Sequence, residues 1–182
     1  MTHKTFLVAD LHFGHEGMCK FLRADGTKLR PFNTAAEMDE VLVSRWNETV
    51  RPQDKVYVLG DVSLRHHGLA TMARCNGDLV LIKGNHDQED LKKYVKVFRD
   101  VRACWQLAGC LLTHIPIHPE SLSRWRANIH GHLHYRRVMK DDTVDERYYC
   151  VSVEHTDYRP VLLEHVLAKL PKVAERPNEV VL

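Results

Sequence analysis

The chain has 182 residues, 44% of them hydrophobic, and a formal net charge of +2. That is one ordinary domain's worth of chain with enough apolar material for a core, and it lacks the global field that would demand a polyanion or an anionic membrane. No apolar run approaches the ~20 residues of a membrane span, and the opening MTHKTFLVAD lacks the apolar stretch of a signal peptide, so a cytoplasmic protein is expected. Five scattered cysteines with no CxxC argue against a disulfide framework and against a structural zinc knuckle. Thirteen histidines are the anomaly, because imidazole is the commonest metal ligand and the usual acid–base group near neutral pH.

In chain order, KTFLVAD (4–10) reads as a short buried strand that ends in Asp10. Residues 13–33 are irregular. NTAAEMDEVLVSRWNETV (33–50) reads as a helix, with Thr34 and Glu37 forming a capping box and Met38, Val41, Leu42 and Trp46 on one face. DKVYVLGD (54–61) is a second buried strand, again ending in an acid. Residues 68–77 suggest a short helix with Gly77 past its end. DLVLIKGNHD (78–87) is a third strand that runs into a Gly-Asn turn, and 88–98 predicts a helix. GCLLTH (109–114) is a fourth strand, and ANIHGHLH (127–134) a fifth followed by a turn. RYYCVSVE (147–154) alternates like a strand near a sheet edge, and RPVLLEHVLAKL (159–170) predicts a helix with Pro160 in its first turn. Residues 1–170 are expected to form one domain and 171–182 a loose tail.

One pattern repeats through these elements. An apolar strand ends and a ligand-type residue follows at once, at Asp10, Asp61, Asn85, His114 and His132 with His134. Sites in sheet proteins form at the carboxyl ends of strands. Carboxylate, amide and imidazole without thiolate suit Mn, Fe, Zn or Ni. The ligands outnumber what one tetrahedral ion uses, whereas two ions with a bridging carboxylate would absorb them.

The blocks DLH (10–12), GD (60–61), GNHD (84–87), TH (113–114) and GHLH (131–134) stand in this order. Together the set resembles the calcineurin-like metallophosphoesterase superfamily. DLHFGH followed by RPF and MDEVLVSRWN, over residues 6–60, is also similar to a small bacterial and phage-type subfamily of phosphoesterases without a cap domain. The resemblance implies an α/β fold, a four-layer α-β-β-α sandwich of two facing mixed sheets flanked by helices. It implies two divalent transition-metal ions, with Mn the first choice and Fe, Zn or Ni the alternatives. Asp10, His12 and His134 would hold the first ion, Asn85, His114 and His132 the second, and Asp61 would bridge both. His86 would be the catalytic residue, a general acid toward the leaving group, with a metal-bridging hydroxide attacking in line. His130 has no role in the pattern, and a packed or hydrogen-bonded histidine is expected there.

One block departs from the pattern. Protein Ser/Thr phosphatases of the superfamily read GDxxDRG, whereas here GDVSLRHH (60–67) puts Leu64 at the second acid and His66 at the glycine. Arg65 matches the phosphate-contacting arginine, and Asp87 is the candidate to orient an imidazole in place of the missing acid. His15, three residues after His12, is a candidate to touch substrate or to support a ligand. Phe13, Phe21, Arg23, Lys28, Arg30 and Phe32 in the 13–32 loop, RWR (124–126) and YRR (135–137) mix bases with aromatics. That mixture suits phosphates with stacked bases, or else a solvated face over core aromatics. The expected activity is phosphodiester hydrolysis, nucleotide-derived. Phosphomonoester hydrolysis is the alternative, and a metal-binding scaffold that kept the fold without the chemistry the rival. The expected partner is a phosphoester substrate such as a nucleotide or a nucleic-acid end, with no membrane.

Overall fold

Strands rich in Val, Leu, Ile and aromatics form the centre of the structure, a computed structural model that describes residues 3–64 and 67–171. β1 (Thr5–Val8), β2 (Lys55–Val58), β3 (Asp78–Ile82) and β4 (Asp100–Arg102) run parallel, and β11 (Val161–Leu162) adds to β1 antiparallel, giving the order β11-β1-β2-β3-β4. A second sheet has the order β10-β7-β6-β5, from β5 (Trp105–Leu107), β6 (Cys110–Leu112), β7 (Asn128–His130) and β10 (Tyr148–Cys150). There β7 is parallel to both β6 and β10, and β5 is antiparallel to β6. The fold is therefore mixed α/β with two mixed sheets and few helices. A small hairpin pairs β8 (Met139–Lys140) with β9 (Thr143–Val144).

Each face of the first sheet is buried, which is why β1, β2 and β3 read as continuous apolar runs rather than as alternation. Phe6, Val8, Val56, Val58, Leu79 and Leu81 pack on α1 (Ala35–Thr49) through Met38, Leu42 and Trp46. Leu7, Leu59, Val80 and Ile82 share a second cluster with Cys110, Leu112 and Ile129 of the other sheet and with α4 (Leu163–Lys169). Burying side chains of this size contributes about 1.5–3 kcal/mol each. On its other side the second sheet meets the segment 115–126, tied down where Asn128 Oδ1 accepts the Ile117 N–H at 3.0 Å and the Tyr148 hydroxyl donates to Ile117 O at 2.8 Å. That segment holds a 3-10 turn, Pro119–Arg124.

Local chemistry explains most element ends. Thr34 Oγ1 accepts the Glu37 N–H at 3.1 Å, and Glu37 reaches back to the Asn33 N–H, so α1 starts where its capping box places it. α2 (His67–Met72) is a short helix before Gly77. The helix expected over 88–98 shrinks to one turn, α3 (Leu91–Tyr94), capped by Asp90. The helix expected from 159 begins at Leu163, because Val161 and Leu162 pair with Leu7 and Phe6 as an edge strand. Pro160, without an N–H, is tolerated in front of such an edge. Among the described residues no helix is long and apolar enough to cross a membrane. Arg65, His66 and the tail from 172 lie outside the described residues.

Candidate metal centre

Asp10, Asp61, Asn85, His114 and His132 each follow the carboxyl end of a strand by two or three residues: β1, β2, β3, β6 and β7 in turn. Backbone bonds extend the strand pairing into these loops. Asp10 N–H donates to Gly60 O, His12 N–H to Asp61 O, and Gly131 N–H to His114 O, all at 2.9–3.0 Å. Ala9 bridges to Ser152, which joins the two sheets at this end. The loops are thereby fixed before any ligand is considered.

Two clusters result. Asp10, His12 and His134 bring ligand atoms within 4.8 Å of one another, and so do Asp61, His114 and His132. Asp61 Oδ2 lies 3.6 Å from His12 Nε2 and 3.3 Å from His114 Nε2, so a single carboxylate oxygen faces both clusters. Asn85 Oδ1 is 3.0 Å from His114 Nε2 and completes the second cluster. His114 Nδ1 donates to Leu59 O at 2.8 Å, which fixes the ring and aims Nε2 at Asp61 and Asn85.

The donor set fits divalent cations. Both ring nitrogens of His12 are buried without a hydrogen-bond partner, and such an orphan is costly unless something binds it. Nε2 of His114 faces lone pairs of both Asn85 Oδ1 and Asp61 Oδ2, a conflict that a proton or a cation between them relieves. A proton does this for the protein alone. Burial is the largest influence on both members and opposes their charge, but the Asp61–His114 hydrogen bond, their mutual attraction and the neighbouring groups together outweigh it, raising His114 and lowering Asp61. Burial likewise pushes Asp10 up to about 6 despite His134 and His114 nearby.

The backbone is also special here. Asp10, His12, Asp61, His132 and His134 all have φ between 53° and 68°, in the left-handed region. Asp and His tolerate it better than most residues, yet strain of this kind costs of order 1–3 kcal/mol per residue and clusters at functional sites. Gly131 explains the spacing of the histidine run. A Cβ there would stand 2.5 Å from Ala9 Cβ and 2.7 Å from Asp10 Oδ2. Only glycine lets the 130–134 turn close onto Asp10, whose carboxylate accepts the His132 N–H at 2.9 Å.

His86 belongs to neither cluster. Its N–H donates to Asp61 Oδ1 at 2.9 Å, and its ring is 5.6 Å from that of His12, edge to face. His15 lies 5.7 Å from His12, with Phe21 edge-on to it at 5.8 Å. Asp87, the candidate to orient an imidazole, instead binds backbone. Its carboxylate accepts the N–H groups of Asp61, Val62 and Gly84 at 2.8–2.9 Å and so ties the β2 and β3 loops together. His130 is a core residue, its Nδ1 on Gly131 O at 2.8 Å, and burial lowers its pKa to about 4. Of the loop bases and aromatics, Phe13, Phe32 and Arg30 are buried, and Arg126 caps the end of α4 through Leu167 O and Leu170 O.

Sequence reasoning missed the support of the clusters. Arg30 donates to the carbonyls of Asp10 and Leu11 and pairs with Glu154, while Ser152 donates to Asp10 Oδ2. Glu154 Oε1 is 3.0 Å from His134 Nδ1. Burial would raise the Glu154 carboxyl, but Arg30 and the bond with His134 outweigh it and hold it at about 2. The signal was present, since Glu154 ends RYYCVSVE as Asp10 and Asp61 end their strands.

No protein-family model matches the chain. It is similar to the crystal structure of a protein of unknown function, AQ665, from Aquifex aeolicus, at a TM-score of 0.64 and 21% identity, over 92% of this chain and 99% of that one; this likeness speaks to the fold. The Gene 66 protein of Mycobacterium phage L5 is 29% identical over 172 aligned residues, 74% of this chain and 79% of the phage protein. The uncharacterized protein MJ1445 of Methanocaldococcus jannaschii is 32% identical over 176 aligned residues, 93% of this chain and 92% of the archaeal one. At that identity and coverage, this chain belongs to the family of the archaeal protein MJ1445.

Proposed function

We propose that the chain is a dinuclear metal-dependent phosphoesterase of the calcineurin-like kind, one cytoplasmic domain over residues 1–170 with four-layer α-β-β-α architecture. Asp10, His12 and His134 hold one divalent transition ion, Asn85, His114 and His132 hold the other, and Asp61 is shared. Mn is the first choice of metal, ahead of Fe, Zn and Ni. The single observation that supports this reading is the Asp61 Oδ2 atom, at 3.6 Å from His12 Nε2 and 3.3 Å from His114 Nε2. Bound there, two ions would supply Lewis-acid stabilisation of phosphoryl oxygens and lower the pKa of water.

The chain's own residues do the rest. His86, half-buried and held through its backbone by Asp61, gives a proton to the departing oxygen, a contribution typically worth ~10²–10⁴-fold. His15 and Phe21 flank the approach to His12, and Phe21 is 50% exposed, which favours a substrate carrying a flat ring. Phosphodiesters derived from nucleotides or nucleic-acid ends are the first substrate class, phosphomonoesters the second, and a metal-binding scaffold without turnover the remaining rival.

Metal content after reconstitution tests the centre, and turnover of bis-p-nitrophenyl phosphate against p-nitrophenyl phosphate tests the substrate class. Two ions per chain and faster diester hydrolysis are expected. Asp61→Asn should lose one ion and nearly all turnover. A saturating value of one ion in the wild type, or an Asp61→Asn protein that keeps most of its rate, refutes the shared ligand.

A further inference from the structure

A cavity of about 440 Å³ opens beside the edge strand β11, within the size range of small-molecule sites. Among the described residues its lining includes Lys4, Arg159, His165 and Lys169 but no carboxylate, in a chain whose 26 basic residues nearly balance 24 acidic ones. We propose that this cavity is a second binding site, for a phosphorylated ligand whose phosphate meets the basic wall and whose ring lies against Tyr149.

Three independent features converge. Lys4, Arg159 and Lys169 put three basic side chains on the wall, and His165, four residues before Lys169 on α4, faces the same way as Lys169. Thr156 Oγ1, in the wall, is buried with no hydrogen-bond partner, and a phosphate oxygen would satisfy it. Tyr149, half-buried, and the floor of Phe6 and Leu162, the pair that registers β1 against β11, offer the apolar area a ring needs. Arg159 is steadied by Asp157, which accepts from its Nη2 at 2.9 Å.

The cavity shares no residue with the metal clusters. Phe6 precedes Asp10 by four residues, roughly 13 Å along a strand. The inference therefore stands or falls apart from the phosphoesterase reading.

Isothermal titration of the full chain, stripped of metal with EDTA, tests it with AMP, inorganic phosphate and adenosine as probes. AMP should bind at one site and adenosine should not. Arg159→Ala with Lys169→Ala should weaken AMP by about ten-fold or more, as should Lys169→Glu alone at its exposed position. Asp61→Asn should bind as the wild type does. Phosphate binding as tightly as AMP keeps the anion site and makes the free ion its ligand. No binding of either anion, binding of adenosine as tight as that of AMP, or affinity lost in Asp61→Asn but kept in the basic variants overturns the proposal.

Discussion

Glu154 Oε1 lies 3.0 Å from Nδ1 of His134 and 2.8 Å from Nε of Arg30. One buried carboxylate thus fixes the tautomer of a histidine in the Asp10 cluster and neutralises a fully buried guanidinium, which itself clamps the Asp10 and Leu11 carbonyls. Hydrogen-bonded partners of this kind typically govern 10–100-fold in metal affinity.

Glu154→Gln keeps the shape and removes the charge. It should leave Arg30 buried and unpaired, a loss of about 3–5 kcal/mol, and weaken metal binding 10–100-fold. Thermal melts and metal titration of the purified variant measure both. A variant with wild-type stability and affinity would show that the clamp does not matter to the centre.

The parts of this site legible in the sequence are those carried by short-range signals. An apolar run ending in Asp, Asn or His marks a strand end whatever its neighbours, so Asp10, Asp61, Asn85, His114, His132 and His134 could be named before the fold. Arg30 could not. Its role depends on Glu154, 124 residues away, and a base in an irregular loop reads as solvated. The sheets were legible where strands are buried on both faces. β4, β5 and β11 are edge or near-edge strands of two or three residues, too short for any periodicity to register. Val161 and Leu162 therefore merged into the apolar pattern of α4.

Gly131→Ala tests the closeness of the histidine turn to β1. The added Cβ would meet Ala9 Cβ at 2.5 Å and Asp10 Oδ2 at 2.7 Å, and overpacking of this kind costs about 1–3 kcal/mol. The turn must retreat, and Asp10 then loses the His132 N–H. Lower stability with reduced occupancy of the Asp10 cluster is expected from melts and metal analysis. Unchanged metal content would mean the turn can shift without moving Asp10.

His130 should make the metal-free protein acid-sensitive. Burial holds its pKa at about 4, below its usual 6.5, so the folded state resists protonation that the unfolded chain accepts. The stability it contributes is complete above pH 6.5 and declines as pH falls from 6.5 toward about 4, by up to about 1.4 kcal/mol per pH unit. Urea melts between about pH 7 and pH 5 should show a shallower decline in His130→Asn than in the wild type. Parallel declines would assign the acid sensitivity to other groups.

His86→Ala separates chemistry from metal binding, because His86 is adjacent to Asn85 yet outside both clusters. Its backbone bond to Asp61 Oδ1 survives the substitution, so both ions should remain. The lost proton donor should lower the rate by ~10²–10⁴-fold for an alkoxide leaving group. p-Nitrophenolate departs without protonation, so its defect should be much smaller. Rates on a nucleotide diester and on bis-p-nitrophenyl phosphate, with metal content measured on the same preparation, give the comparison. Loss of metal would make His86 part of the centre's structure. Equal defects on the two leaving groups would make it a donor to the phosphoryl oxygens rather than to the departing one.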